Sequence, residues 1–304
     1  MINLKNGLSK KNSFLVKFFL GVLFLIVLFY WFNPKVIFDE TKKVSWWLYG
    51  LVVMGHFLLM AIKSLRWKIL LESFGIHCDY KQALRAYVIA FSFGTFTPGQ
   101  LGDMAKVMLI DGASGKRKLA LIPSFVDRLW DLLGLVMASA GCASILYSIK
   151  LSLSNIVFVT VFIVCVLLLL VLLYRKVRKF FLQKYETDSA VIFYKWYWAV
   201  FLTCIVVIVQ FFRWAVLAFA LSLPIVTAAS SAMIGTFVAL LPVSFGGLGT
   251  REAAIAWLFA SVGLSPESGV GFSLLMFGTY LIGAFAGVLL LRGSGKLAWE
   301  GKSD

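Results

Sequence analysis

Residues Leu241–Glu252 read "LPVSFGGLGTRE". They lie between two apolar runs, Val226–Leu240 and Ala253–Val262. A proline, three glycines and an adjacent Arg–Glu pair interrupt what would otherwise be one long apolar stretch. Backbone N–H and C=O groups cannot be left unpaired in lipid, so an irregular glycine segment at membrane depth must be buried in protein or line a wet cavity. The reading of this break therefore depends on whether the chain lives in a bilayer.

Composition answers that. The chain has 304 residues, of which 61% are hydrophobic and only 14% charged, and its mean hydropathy is +0.92. Too few polar side chains are present to coat a soluble domain. Long apolar runs instead predict an all-α polytopic membrane protein. The formal charge of +15 reads as the basic excess of cytoplasmic loops, with attraction to anionic lipid as a second consequence. The bases sit in short loops between spans, so nucleic acid is not an expected partner. Cys78, Cys142, Cys165 and Cys204 are scattered and form no C-x-x-C pair. The two histidines form no H-E-x-x-H motif. No metal and no cofactor are expected.

Apolar runs of crossing length are Phe14–Phe32, Trp46–Leu65, Leu119–Tyr147, Leu153–Tyr174, Trp198–Leu223 and Phe272–Leu291. The first follows Lys5, Lys10 and Lys11, has the full spanning length and has no cleavage site after it. It reads as a retained span with a cytoplasmic N-terminus. Two shorter runs break at glycines: Ala83–Phe96 resumes as Leu101–Ile110, and Val226–Leu240 resumes as Ala253–Val262. Each pair predicts a re-entrant helical hairpin. Six crossings place Arg66–Arg85, Lys116–Lys118, the basic loop Arg175–Lys195 and the tail bases on the cytoplasmic side. The protein is then integral to the cytoplasmic (inner) membrane, with both termini on the cytoplasmic side.

The two hairpins resemble one another. Arg66 and Arg213 are 147 positions apart (213 − 66), as are Gly99 and Gly246 (246 − 99). In that one register Trp67/Trp214, Leu70/Leu217, Leu101/Leu248 and Gly102/Gly249 are also identical. An Arg-Trp pair and a G-x-L-G motif at a single offset signal an internal repeat. The organisation expected is an N-terminal span and outer loop (1–45), repeat one (46–149), a connecting span and basic loop (150–197), repeat two (198–292) and a cytoplasmic tail (293–304). The odd connecting span inverts the second repeat relative to the first, an arrangement used by transporters with broken helices at the midplane.

Glycines let the chain turn and let a ligand approach the backbone, and a helix N-terminus after each hinge favours an anion. Gly99, Gly102, Gly246, Gly247 and Gly249 are thus candidate ligand contacts, with Thr250 as a helix cap. Close helix packing is the competing explanation for these glycines. Charges within apolar runs are costly and point to a paired, inward-facing site. Asp127 and Asp131 share a helix face beside Arg128, and an Asp–Arg clasp of purely structural use is their alternative. Asp103 with Lys106 and Arg251 with Glu252 flank the hinges. Arg213 lies deep in its span. Arg213, Arg251, Arg128 and Lys106 are the phosphate candidates, because arginines converging on helix N-termini make a phosphate cradle. Asp103, Asp127, Asp131 and Glu252 are the ion-pair or proton-coupling candidates. Arg66 sits at a cytoplasmic end, where snorkelling would explain it. His56 reads as a packing or helix–helix hydrogen-bonding residue.

"TPGQLGDMAK" (Thr97–Lys106), "VDRLWDLLGL" (Val126–Leu135) and "SFGGLGTREAA" (Ser244–Ala254), in that order, resemble the lysylphosphatidylglycerol synthase transmembrane, or flippase-like, family from about Trp46 to Leu291. The resemblance implies a lipid-translocating membrane domain with re-entrant helices. The chain runs to Asp304, so the soluble aminoacyl-transferase domain of full-length synthases, and its chemistry, are not expected. The leading expectation is a flippase for an anionic phospholipid or polyprenyl-phosphate-linked lipid. A membrane-embedded transferase of polyprenyl-phosphate glycolipid metabolism is the enzymatic alternative, and a membrane partner for a separate lipid- or glycan-synthesis enzyme is the third. A second copy of the chain is the other protein partner to consider.

Overall fold

The structure is a computed structural model that describes residues 34–110, 117–150, 189–240 and 247–292. The expected spans Phe14–Phe32 and Leu153–Tyr174, most of the basic loop, Gly246 and the tail lie outside the described residues. All described secondary structure is helical. Helix α1 covers Pro34–Lys42, α2 Trp46–Ser73 and α3 Tyr80–Thr95, followed by a 3₁₀ helix over Pro98–Leu109. Helix α4 covers Arg117–Lys150, α5 Ser189–Ala220, α6 Ile225–Ala239, α7 Thr250–Ser261 and α8 Pro266–Arg292.

Among the described residues, four stretches are long and apolar enough to cross a bilayer: Trp46–Ser73, Leu119–Leu146, Trp196–Ala220 and Pro266–Leu291. At helical rise the first spans about 42 Å, more than the ~30 Å hydrocarbon core. Exposure runs opposite to that of a soluble domain. Phe212 is 65% and Phe285 63% exposed, whereas Arg66, Lys106 and Glu252 are wholly buried. Apolar rings facing outward and charges facing inward are the arrangement lipid demands. The chain is an integral membrane protein.

Side-chain contacts fix the helix directions. Gly55 and His56 meet Arg213 while Arg66 reaches Thr203, so α2 and α5 pack antiparallel. Arg66 meets Asp127 while Lys63 meets Asp131, so α4 is also antiparallel to α2. The Tyr49 hydroxyl donates to the Leu275 carbonyl and His56 abuts Gly283, so α8 runs parallel to α2.

The short helices fold back in pairs. Gly102 packs where a Cβ would collide with the Phe93 carbonyl, and Val107 and Ile110 return to Ile76, Cys78 and Ala83 beside the end of α2. In the second pair a Cβ on Gly247, held at φ 76°, would collide with Ala239, and Gly235 admits Ile255. Each pair has its own apolar core. One surrounds Trp67, with Leu71, Tyr87 and Val107; the other surrounds Trp214, with Leu217, Ala228, Phe259 and Phe272. The last long helix of each set packs on the other set's hairpin: Ser92 donates to the Ala284 carbonyl at 2.7 Å, and Ser139 to the Met233 carbonyl at 3.2 Å.

The first return arm is a 3₁₀ helix, not an α-helix, and twelve residues is long for this form. At three residues per turn, side chains three apart eclipse. Asp103 and Lys106 therefore lie on one line, 3.8 Å apart, and both point at α4.

A charged cleft between the two sets of helices

Helix α4 delivers Asp127 and Asp131 one turn apart, and α2 delivers Lys63 and Arg66 one turn apart to meet them. Arg66 Nε donates to Asp127 at 2.8 Å and Nη2 to Asp131 at 2.6 Å. Lys63 reaches Asp131 at 3.0 Å, and Lys106, from the 3₁₀ helix, reaches Asp127 at 2.7 Å. Lys106 also lies over the rings of Trp67 and Tyr87. Arg128 is held more loosely, 3.7 Å from Asp103 and 3.8 Å from Asp131. Its one short bond goes to Gln100 Oε1, at 2.6 Å. Gln100 sits in the hinge with φ 55°, a left-handed conformation that costs a non-glycine residue about 1–2 kcal/mol. The hinge is closed by Thr97 Oγ1, which accepts from the Gly102 N–H at 2.7 Å. Gly99 lies on the first turn of the 3₁₀ helix.

The second set is chemically different. Arg213 is 3% exposed and has no carboxylate within ion-pair distance among the described residues. It donates to His56 Nδ1 at 3.0 Å and to Thr279 Oγ1 at 3.3 Å, while its Nε has no partner. An arginine can only donate, so His56 Nδ1 accepts and the imidazole is neutral. The guanidinium stacks on Trp214, 3.9 Å from the ring centre. His56 thus bridges two helices, as its sequence suggested.

At the second hinge, Arg251 Nη2 donates to Glu252 Oε1 at 2.6 Å and Nε to Ser273 Oγ at 2.9 Å. Thr250 does not cap α7. Its hydroxyl donates back to the Gly247 carbonyl, and the Gly249 N–H is taken by Glu252 Oε2 at 2.7 Å. Gly249, at φ 83°, is the residue that enters the helix, and a carboxylate three residues on meets the helix's positive end better than a hydroxyl can.

A cleft with a volume of about 110 Å³ lies between the two sets. Arg213, Arg128, Asp103 and Asp131 line it, whereas Lys106 and Asp127 form the layer behind, and Arg251 and Glu252 lie off it. The structure also brings in Lys63, Arg66 and His56, which the sequence left out of the site. The signal for Arg66 was present in its register with Arg213. For Lys63 it was the spacing of about one turn to Arg66 (66 − 63 = 3), close to the one turn between Asp127 and Asp131 (131 − 127 = 4).

Fold and cleft together define an integral membrane protein with a buried charge cluster between its spanning helices. Residues 14–287 match the family model described as lysylphosphatidylglycerol synthase TM region, and the chain belongs to that family. The family places it in lipid metabolism or transport. Neither a curated protein nor a solved structure matches the chain.

Proposed function

We propose that the protein moves an anionic lipid between leaflets, passing a phosphate-bearing head group through the cleft while the tails stay in the bilayer. The carrying observation is Arg213: a buried guanidinium with no carboxylate partner among the described residues, facing an open cleft. An unpaired charge in such surroundings costs several kcal/mol, and an anionic ligand removes that cost. A transferase would need a base and an activated nucleophile at the cleft, and among the described residues Asp103 and Asp131 in the cleft and Asp127 behind it all stand within ion-pair distance of cations.

An inverted repeat supports movement rather than static binding. Arg66 bonds Thr203 and Arg213 bonds His56, and both pairs of positions obey the same offset (203 − 56 and 213 − 66 are each 147). Such a reciprocal exchange is what a two-fold relation between the halves produces. The antiparallel packing of α2 against α5 agrees with it. Rocking one half against the other would then expose the cleft to alternate sides. In vesicles carrying the purified protein and a labelled anionic lipid, leaflet exchange is expected, and Arg213→Gln should slow it at least tenfold. Unchanged exchange in a variant that melts like the wild type would remove Arg213 from the function.

A further inference from the structure

We infer that the cleft is built for a head group carrying two negative charges, a phosphate monoester or a diphosphate, rather than for a phosphodiester with one. This rests on the transport reading above for its setting, but it is a statement about binding. Among the described residues the cleft and the layer behind it hold five bases: Lys63, Arg66, Lys106, Arg128 and Arg213. They hold three acids: Asp103, Asp127 and Asp131. Arg251 and Glu252 cancel each other, and His56 is neutral. The surplus is two positive charges.

The surplus also has a location. Every carboxylate has its shortest contacts, 2.6 to 3.0 Å, with Lys63, Arg66 or Lys106, except Asp103, whose two cations stand at 3.7 and 3.8 Å. Arg128 is the loosely held member of this cluster, and Arg213 has no acid at all. These two arginines are the least compensated charges, both line the cleft, and they come from opposite sets of helices. Arg128 needs only to exchange Gln100 for a phosphate oxygen, and Arg213 has an Nε with no partner to give up. A dianion neutralises the site. A monoanion leaves one buried charge unpaired, which in a protein interior costs more than the ordinary loss of one hydrogen bond. Gln210, Thr236 and Tyr280 line the same cleft and supply neutral polar groups to it.

The test is lipid competition on the full chain in nanodiscs of zwitterionic phosphatidylcholine, read by native mass spectrometry. The probes are phosphatidic acid, a polyprenyl diphosphate, phosphatidylglycerol and uncharged diacylglycerol. Phosphatidic acid, the diphosphate or both should bind about tenfold or more tightly than phosphatidylglycerol. Binding of the first alone assigns a glycerolipid, and of the second alone a polyprenyl lipid. Arg213→Gln should erase the margin. Gln210→Glu places an acid one turn from Arg213, reduces the surplus to one and should move the preference to phosphatidylglycerol. Equal or tighter binding of phosphatidylglycerol by the wild type would overturn the inference, as would an unmoved preference in a folded Gln210→Glu protein. Leaflet exchange is measured on the same preparation. Selective dianion binding without exchange sinks the transport reading and leaves this one. Exchange of phosphatidylglycerol without dianion preference does the reverse.

Discussion

Asp127 takes two cations on its two oxygens, Arg66 at 2.8 Å and Lys106 at 2.7 Å, and is almost wholly buried. Asp131 shares Arg66 but its second partner, Lys63, is 26% exposed and free to swing outward. The two acids look equivalent in sequence, four residues apart on one face. Their replacements should not be. Asp127→Asn turns one oxygen into an NH2 donor facing a buried cation, and breaking a buried pair in this way costs roughly 3–5 kcal/mol. Asp131→Asn should cost no more than about 2 kcal/mol, because Lys63 can find water. Thermal melting in detergent checks the order, and equal melting temperatures for the two variants would show that Lys106 is not held as described.

At the scale of the elements, two glycines in the first set separate packing from propensity. Gly102 has the Phe93 carbonyl and the Gly94 amide where a Cβ would stand, both backbone groups that cannot rotate away. Gly102→Ala should therefore open the hairpin and cost at least 1–3 kcal/mol. Gly141, in the middle of α4, has nothing within 4 Å of such a Cβ. Gly141→Ala should stabilise by up to about 1 kcal/mol, because alanine is the better helix former. A melt comparing the two with the wild type decides, and a neutral Gly102→Ala would sever the link between the G-x-L-G motif and the hairpin. The same contrast shows what was legible in advance. Arg66-Trp67 and Arg213-Trp214 stood out because such a pair is rare in this composition, and each tryptophan proved to be the centre of one core. Gly102 and Gly249 stood out for the same reason. The burial of Arg66 was hidden, because the end of an apolar run reads as a place to snorkel and only the packing of α4 on α2 buries it. His56 and Thr203 were hidden more deeply. They stand at the same 147-residue offset (203 − 56) as Arg66 and Arg213, but a histidine and a threonine share no identity for a repeat search to find. The 3₁₀ form of the return arm was also invisible, since the line from Asp103 to Lys106 needs α4 opposite it to have any value.

For the whole molecule, helix directions imply a test of sidedness that does not depend on any ligand. Helices α2 and α8 run parallel, and α4 and α5 run against them. Lys81 lies just beyond the end of α2 and Ser265 just before the start of α8, and both are exposed. Two parallel spans put the end of one and the start of the other on opposite faces of the bilayer. The first hairpin leaves and returns beside Lys81, and the second ends beside Ser265, so the two labels also report the two hairpins. In a protein with its four cysteines replaced, Lys81→Cys and Ser265→Cys should react with an impermeant maleimide from opposite sides, one in right-side-out vesicles and the other in inverted ones. By the positive-inside rule, the excess bases around Arg66–Arg85 make Lys81 the label expected to react from the cytoplasmic side. Labelling of both from one side would mean that the halves are not inverted, and the reciprocal bonds of Arg66 and Arg213 would then be a local clasp between two helices instead of the axis of the proposed rocking.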